Sequence, residues 1–268
     1  MRLTPLTAQA LPRAVALSSL IGWNQTEDDW RAFLERGQVM MLDDGEAELA
    51  ASVATLCYGP VAWISMLLVR PDLRCQGLAR AGMEWAVASL RQAGAGCIAL
   101  DATPDGQAVY RRMGFRDVWG FSRWNVPPLP PMPGVREMTE ADFPALLALD
   151  AACFGADRAW LLRRMADRHP GFVLEEAGRV VAAILWRDGM RWTQAGPLWA
   201  REAAHAQALL AAALPRGGVA DLRDDAPIFG WLEGELGARM RPFSRMALDG
   251  ALPGDAAGCM GVLGHEFG

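Results

Sequence analysis

Five of the nine residues in Val126-Pro-Pro-Leu-Pro-Pro-Met-Pro-Gly134 are proline, and no other feature restricts the fold of this chain so tightly. Proline fixes φ and lacks the backbone N–H, so the run continues neither a helix nor a central strand. It reads as an extended, semi-rigid spacer. The chain is thereby divided into a first half, residues 1–126, a linker, 127–134, and a second half, 135–268. Each half is long enough to bury its own core.

The halves echo one another. Arg2-Leu-Thr-Pro-Leu-Thr7 opens the first and Arg136-Glu-Met-Thr-Glu140 the second. Arg31-Ala-Phe-Leu34 returns as Arg158-Ala-Trp-Leu161, and Gly45-Glu-Ala-Glu-Leu-Ala-Ala51 as Gly178-Arg-Val-Val-Ala-Ala183. Phe121-Ser-Arg-Trp124 returns as Phe243-Ser-Arg-Met246. Single matches of this length arise by chance; their shared order indicates a duplicated domain.

Periodicity in the first half predicts helices over Ala8–Ile21, Glu27–Glu35, Gly77–Gln92 and Gln107–Met113. Strands are predicted over Val39–Leu42, Ala47–Tyr58, Val61–Val69, Cys97–Leu100 and Val118–Val126. With a short opening strand the order is β-α-α-β-β-β-α-β-α-β, a mixed α/β domain. Gly59-Pro60 between two strand runs predicts a hairpin and antiparallel pairing, whereas a plain nucleotide-binding α/β domain would carry a parallel sheet.

All 26 basic residues are Arg. With no Lys, the chain cannot form a Schiff base or supply the lysine of a Walker A loop. A net charge of −5 argues against nucleic acid as a partner. No stretch approaches the roughly 20 apolar residues of a membrane span, and Pro5, Gln9, Pro12 and Arg13 interrupt any leader-like run. The five cysteines form no CxxC pair, as in a reduced, cytoplasmic protein. His169, His205 and His265 are far apart and read as surface or packing residues, so no metal is expected.

The most informative segment is Met66-Leu-Leu-Val-Arg-Pro-Asp-Leu-Arg-Cys-Gln-Gly-Leu-Ala-Arg80. A buried strand ends at Pro71, a tight loop follows, and a helix begins near Gly77. The small side chains of Gly77 and Ala79 allow a ligand close to the backbone. The unpaired N–H groups at the helix start suit a pyrophosphate. Arg70, Arg74 and Arg80 make the loop locally basic. An ordinary strand–loop–helix joint is the competing reading of such a turn on its own.

The surrounding residues resemble the GNAT superfamily of N-acetyltransferases. Val69-x-Pro71-x-x-Arg74-x-x-Gly77-x-Ala79 is similar to its acyl-CoA loop, in which Arg or Gln precedes x-x-Gly-x-Gly/Ala. Farther on, Tyr110-Arg-Arg-Met-Gly-Phe115 is similar to its second landmark, a helix carrying Tyr and ending in Gly-Phe. The resemblance covers about residues 1–126. Gly22-Trp-Asn-Gln-Thr-Glu-Asp-Asp-Trp30, Trp63-Ile-Ser-Met66 and Leu100-Asp-Ala-Thr-Pro-Asp-Gly106 narrow it to a bacterial subgroup with a second, divergent GNAT-like domain. Phe154-Gly-Ala-Asp-Arg158, Ala195-Gly-Pro-Leu198 and Leu263-Gly-His-Glu-Phe-Gly268 are similar to that second domain.

The resemblance implies a tandem α/β (α+β) fold, with a mixed, mostly antiparallel sheet flanked by helices in each half. It implies acetyl-CoA as co-substrate and direct transfer to a small-molecule amine. Leu67, Leu68 and Val69 would lie along the pantetheine arm, the backbone of Leu67 and Val69 pairing with it. Arg74, Cys75, Gln76, Gly77, Leu78, Ala79 and Arg80 would cradle the pyrophosphate; a covalent acyl-Cys75 is not the family's habit. Tyr110 would protonate the departing thiolate, a packed aromatic being the competing reading. Trp23 and Asn24 would line the acceptor pocket.

The general base is open at this point. A carboxylate or an ordered water could serve; Glu27, Asp28, Asp29 and Asp101 each read first as helix-cap or turn residues, and among them Asp101, which follows a buried strand, is preferred. The second half shows Pro197-Leu-Trp-Ala-Arg-Glu-Ala-Ala204 in place of the loop, and aligning Gly114 with Gly237 sets Glu233 opposite Tyr110. It is therefore expected not to bind acyl-CoA, and instead to complete the acceptor pocket or mediate homodimerisation. A non-catalytic acyl-CoA sensor is the alternative function.

Overall fold

In the computed structural model, which describes residues 3–46, 48–235 and 239–268, both halves lay down their elements in one order. The first runs β1 (Thr4–Pro5), α1 (Leu11–Ile21), α2 (Glu27–Arg36), β2 (Gly37–Leu42), β3 (Ala51–Tyr58), β4 (Val61–Val69), α3 (Leu78–Gln92), β5 (Cys97–Ala102), α4 (Pro104–Arg112) and β6 (Arg116–Val126). The second runs β7 (Val135–Glu137), α5 (Phe143–Phe154), α6 (Ala159–Arg168), β8 (Phe172–Glu176), β9 (Arg179–Arg187), β10 (Gln194–Trp199), α7 (Ala203–Ala213), β11 (Gly218–Arg223), α8 (Phe229–Glu235) and β12 (Arg239–Leu248). One further strand, β13 (Cys259–Gly261), has no counterpart in the first half.

Local chemistry accounts for several boundaries. Thr26 and Asp29 form a reciprocal capping box at the start of α2, and Trp30 and Phe33 face the core one turn apart. Gly59 at φ 72° makes the β3–β4 hairpin, which is antiparallel as expected. Strand β3 begins at Ala51 rather than Ala47, which lies outside the described residues, as does Gly237.

All thirteen strands form one mixed, mostly antiparallel sheet in the order β1-β2-β3-β4-β5-β12-β6-β11-β13-β10-β9-β8-β7. At its centre the halves exchange strands. Strand β12, from the second half, lies between β5 and β6, while β6, from the first half, lies between β12 and β11. The recurring Phe-Ser-Arg segments meet at this seam. Phe121 sits opposite Phe243 with rings stacked 5.0 Å apart. Arg123 sits opposite Asp221 and Arg245 opposite Asp101, each pair joined by two hydrogen bonds of 2.7–2.9 Å. The duplication thus produces two matching buried ion pairs about a local two-fold.

The largest core is shared. Leu17, Trp30 and Phe33 from α1 and α2 join Leu146, Leu161 and Met165 from α5 and α6, with Phe267 near the end of the chain. The α3 side of the first half and the α7 side of the second have their own clusters. No helix among the described residues is long and apolar enough to cross a membrane.

Candidate active site

Strand β4 pairs with β5 only through Val61–Cys97, Ala62–Ile98 and Trp63–Ala99. Beyond them, Met66 takes φ 50°, its carbonyl accepts from Ser52 Oγ at 2.8 Å, and the register against β3 shifts. This bulge bends β4 away from β5. The gap is a cleft of about 690 Å³. In the second half β10 and β11 part in the same way after Gln194–Val219 and Ala195–Ala220. There β13 fills the gap, pairing antiparallel with both strands.

One end of the open cleft is the loop before α3. A 3-10 turn begins at Pro71; Cys75 takes φ 61° and Gly77 φ 82°, and Gly77 is the N-cap. The first helical bond runs from Ala81 N–H to Gly77 O at 3.0 Å, so the N–H groups of Leu78, Ala79 and Arg80 have no partner in the helix. Leu67, Leu68 and Val69 line the cleft along β4, and Arg74, Cys75, Gly77, Leu78, Ala79 and Arg80 line it along the loop. Gln76 is exposed and stands outside the lining. Arg70 is turned inward to pair with Asp44 and Asp72. Arg241, from β12, adds a cation that the first half does not encode.

At the other end, α4 presents Tyr110. Side chains on a helix lean toward its N-terminus, and the phenol ring lies back over Gly106, one turn earlier. A Cβ at Gly106 would stand 2.7 Å from the Tyr110 ring and 3.2 Å from its hydroxyl. Burial raises the phenol to about 12, so it is protonated at neutral pH.

Beside the cleft, on the far side of Tyr110, lies an inner chamber of about 60 Å³. Trp23, Leu67, Met83, Thr103 and Tyr110 border both spaces. Asp101, Ser65 and His265 border the chamber alone. Burial raises Asp101 to about 6 against the opposing pull of Arg245. Ser65 Oγ is buried without a hydrogen-bond partner.

Several expected residues lie elsewhere. The Asn24 amide is buried and occupied: Nδ2 donates to Trp192 O at 3.0 Å, and Oδ1 accepts from the N–H of Arg191 and of Trp192. It fastens the 190–192 turn of the second half and does not line the cleft. Glu27 pairs with Arg31, Asp28 with Arg164, and Asp29 with Arg187, which occupies all three carboxylates. His169 stacks on Trp186 and His205 faces Glu176. His265, read from sequence as a surface or packing residue, is packed against Trp23 and Phe243 and also stands in the chamber wall. Its only sequence signal was the terminal Leu263–Gly268 segment, since nothing local places residue 265 beside residue 101.

Residues 15–115 match the profile of the Acetyltransferase (GNAT) family, and residues 146–228 match a second profile, Acetyltransferase (GNAT) domain. Together the matches span well over half of the chain. The chain belongs to the GNAT acetyltransferase family.

This GNAT chain is similar over its whole length to a Pyrococcus horikoshii structure provisionally described as an acetyltransferase, with TM-score 0.85, 18% identity and 95% of that chain covered. It is also similar to a tandem GNAT protein from the clavulanic acid biosynthesis pathway, with TM-score 0.61 and 14% identity over 92% of this chain and 98% of that one. A GCN5-related N-acetyltransferase from Sphaerobacter thermophilus matches with TM-score 0.57 and 17% identity, over 92% and 95% of the two chains. At these identities the likeness establishes the fold. No curated protein gives a significant sequence match. The two profiles agree with the tandem element order, and the family's chemistry is acyl transfer. Among the described residues no group of three His, Cys, Asp or Glu side chains is placed to hold a metal ion.

Proposed function

We propose that the first half transfers an acetyl group from acetyl-CoA to the primary amine of a small acceptor by direct attack. The observation that carries this reading is the open β4–β5 gap. Its cleft is lined by the start of α3 at one end and by Tyr110 at the other, and it shares Trp23, Leu67, Met83, Thr103 and Tyr110 with a chamber bordered by Asp101. The pyrophosphate fits the N-terminus of α3, with Arg74 and Arg241 adding charge. The pantetheine fits along the unpaired edge of β4, and the thioester then reaches Tyr110.

An ammonium acceptor gives one proton to Asp101, whose raised pKa, about 6, suits a base working near neutral pH. The amine attacks the thioester carbon, a C–N bond forms and the C–S bond breaks. Tyr110 hands its proton to the leaving thiolate and is reprotonated as the nitrogen loses its second proton.

A non-catalytic acyl-CoA sensor is the second reading, favoured by the two hydrogen bonds from Arg245 that occupy Asp101. One experiment separates them. Acetyl-CoA is offered with a panel of primary amines, and free CoA is measured. Amine-dependent CoA release at rates above hydrolysis supports the enzyme; tight acetyl-CoA binding without release leaves the sensor.

A further inference from the structure

The chamber wall contains a residue from the far end of the chain. After β13 fills the second-half gap, residues 262–268 run beneath the first half: Tyr58 donates to Phe267 O at 3.0 Å, and Phe267 stacks on Phe33 at 5.0 Å. This path sets His265 between the edge of Trp23, 4.7 Å away, and the face of Phe243, 5.1 Å away. Its Nδ1 lies 3.3 Å from Arg123 Nη2. A guanidinium only donates, so Nδ1 accepts and the neutral ring carries its proton on Nε2. Glu266 Oε2 is also 3.3 Å from Nδ1 but makes no hydrogen bond there. Among the described residues no protein group pairs with Nε2, and His265 borders the chamber.

Two further observations narrow what it meets. Ser65 Oγ, on the same wall, is buried and unpartnered, so the chamber is built with polar groups that a ligand can satisfy. The buried charges around it are unequal. Arg123, Arg187 and Arg245 stand against four carboxylates, those of Asp29, Asp101, Asp221 and Glu266. Arg168, which also reaches Asp29, and its neighbour Arg164 are offset by Asp28 and Glu35. The excess negative charge favours an ammonium and opposes a second carboxylate.

We infer that His265 is an acceptor-positioning residue, its Nε2–H donating to a neutral oxygen on the carbon adjacent to the acceptor's amine-bearing carbon. The inference rests on the acyl-transfer reading and deepens it. It assigns the acceptor class: an amine beside a hydroxyl or an amide carbonyl, in preference to a plain alkylamine or a free amino acid. Donation to the acceptor, rather than to acetyl-CoA, follows from placement, because His265 borders the inner chamber and not the cofactor cleft. A role as base is opposed by the proton on Nε2. Burial and the Arg123 charge, against the pull of Glu266, also lower the ring to about 4, so it stays neutral in the working range. The Asp221 and Arg187 charges act on it with opposite signs.

The test uses the full chain with acetyl-CoA and four probes: 2-aminoethanol, glycinamide, propylamine and glycine, read by CoA release. Wild type is expected to show roughly tenfold higher kcat/KM for aminoethanol, glycinamide or both than for propylamine and glycine, the difference lying in KM. The two favoured probes distinguish a hydroxyl from an amide partner. His265→Leu is expected to bring the four within about twofold of one another with the acetyl-CoA Kd unchanged, and H265Q, which keeps a donor near the Nε2 position, to restore the order. Equal use of propylamine and aminoethanol by wild type overturns the inference, and so does a preference that survives in His265→Leu or a loss confined to kcat. The wild-type ranking and H265Q decide the matter if His265→Leu does not fold. CoA release with no preference sinks the inference alone; acetyl-CoA binding with no release from any probe sinks the acyl-transfer reading and the inference together.

Discussion

The Tyr110 ring is held in place by a neighbour with no side chain. The ring occupies the space a Cβ at Gly106 would need, so glycine there is a packing requirement as well as a helix residue. Gly106→Ala favours the helix intrinsically by up to about 1 kcal/mol. It nonetheless forces the phenol to move, and displacements near 1 Å at a reacting centre cost about 100-fold. The expected result is a melting temperature equal to or above wild type with kcat reduced at least about tenfold. Tyr110→Phe removes the hydroxyl and leaves the packing on Phe115, so acetyl-CoA affinity should hold while turnover falls about 100- to 10,000-fold. Unchanged single-turnover rates would take Tyr110 out of the mechanism. With Asp101 as the proposed base, its titration would set the pH dependence. Its carboxyl is raised from 3.8 to about 6, so it is protonated, and lost as a base, as pH falls through that value. The kcat/KM profile should therefore drop on the acid side of about pH 6, and a profile flat down to pH 5 would show that another group accepts the proton.

Among the elements, the same parallel pair of strands has two fates. Between β4 and β5 the gap stays open; between β10 and β11 a short antiparallel strand closes it. Gly261 is fitted to that plug, since a Cβ there would come within 2.9 Å of Leu222 and 3.2 Å of Leu198. One molecule of acetyl-CoA should bind per chain, and calorimetry returning two equivalent sites would contradict this account of β13. The loop before α3 carries a separate expectation. Gly77 has φ 82°, and open space surrounds its missing Cβ, so the objection to a side chain is conformational rather than a clash. Gly77→Val places a β-branched residue in the left-handed region, at a cost of roughly 1–2 kcal/mol. The loop should relax and carry the N–H groups with it, raising the acetyl-CoA Kd at least about tenfold with little change in melting temperature. An unaltered Kd would mean that this backbone does not hold the phosphates.

For the molecule as a whole, the strand exchange makes the two halves one structural unit. A chain ending at Pro128 lacks β12, which in the intact protein pairs with both β5 and β6. It also lacks Phe267 and the second half of the shared core. Such a fragment exposes an unpaired sheet edge and a broad apolar face, and it leaves Asp101 buried without Arg245. It should aggregate or fail to unfold cooperatively; a soluble fragment with a sharp thermal transition would show that the exchange is dispensable.

The sequence by itself determined the parts whose interactions are local. The proline run, the element order of the first half, the duplication, the Arg74–Ala79 loop and the Tyr110 helix were all legible from it. Turns, helix starts and periodicity depend on residues a few positions apart. Even the Phe-Ser-Arg echo was visible, though not that its two copies face each other across one seam. The tertiary structure alone decided which strands trade places, that β13 closes one gap, that Asn24 holds a turn, that Arg241 reaches the first half's cleft and that His265 reaches the chamber beside it. Each of these depends on contacts between residues tens to hundreds of positions apart. Burial then gave the chamber its chemistry: Asp101 and His265 look like ordinary side chains in the sequence, but desolvation raised the first to about 6 against the pull of Arg245, and desolvation with the Arg123 charge lowered the second to about 4.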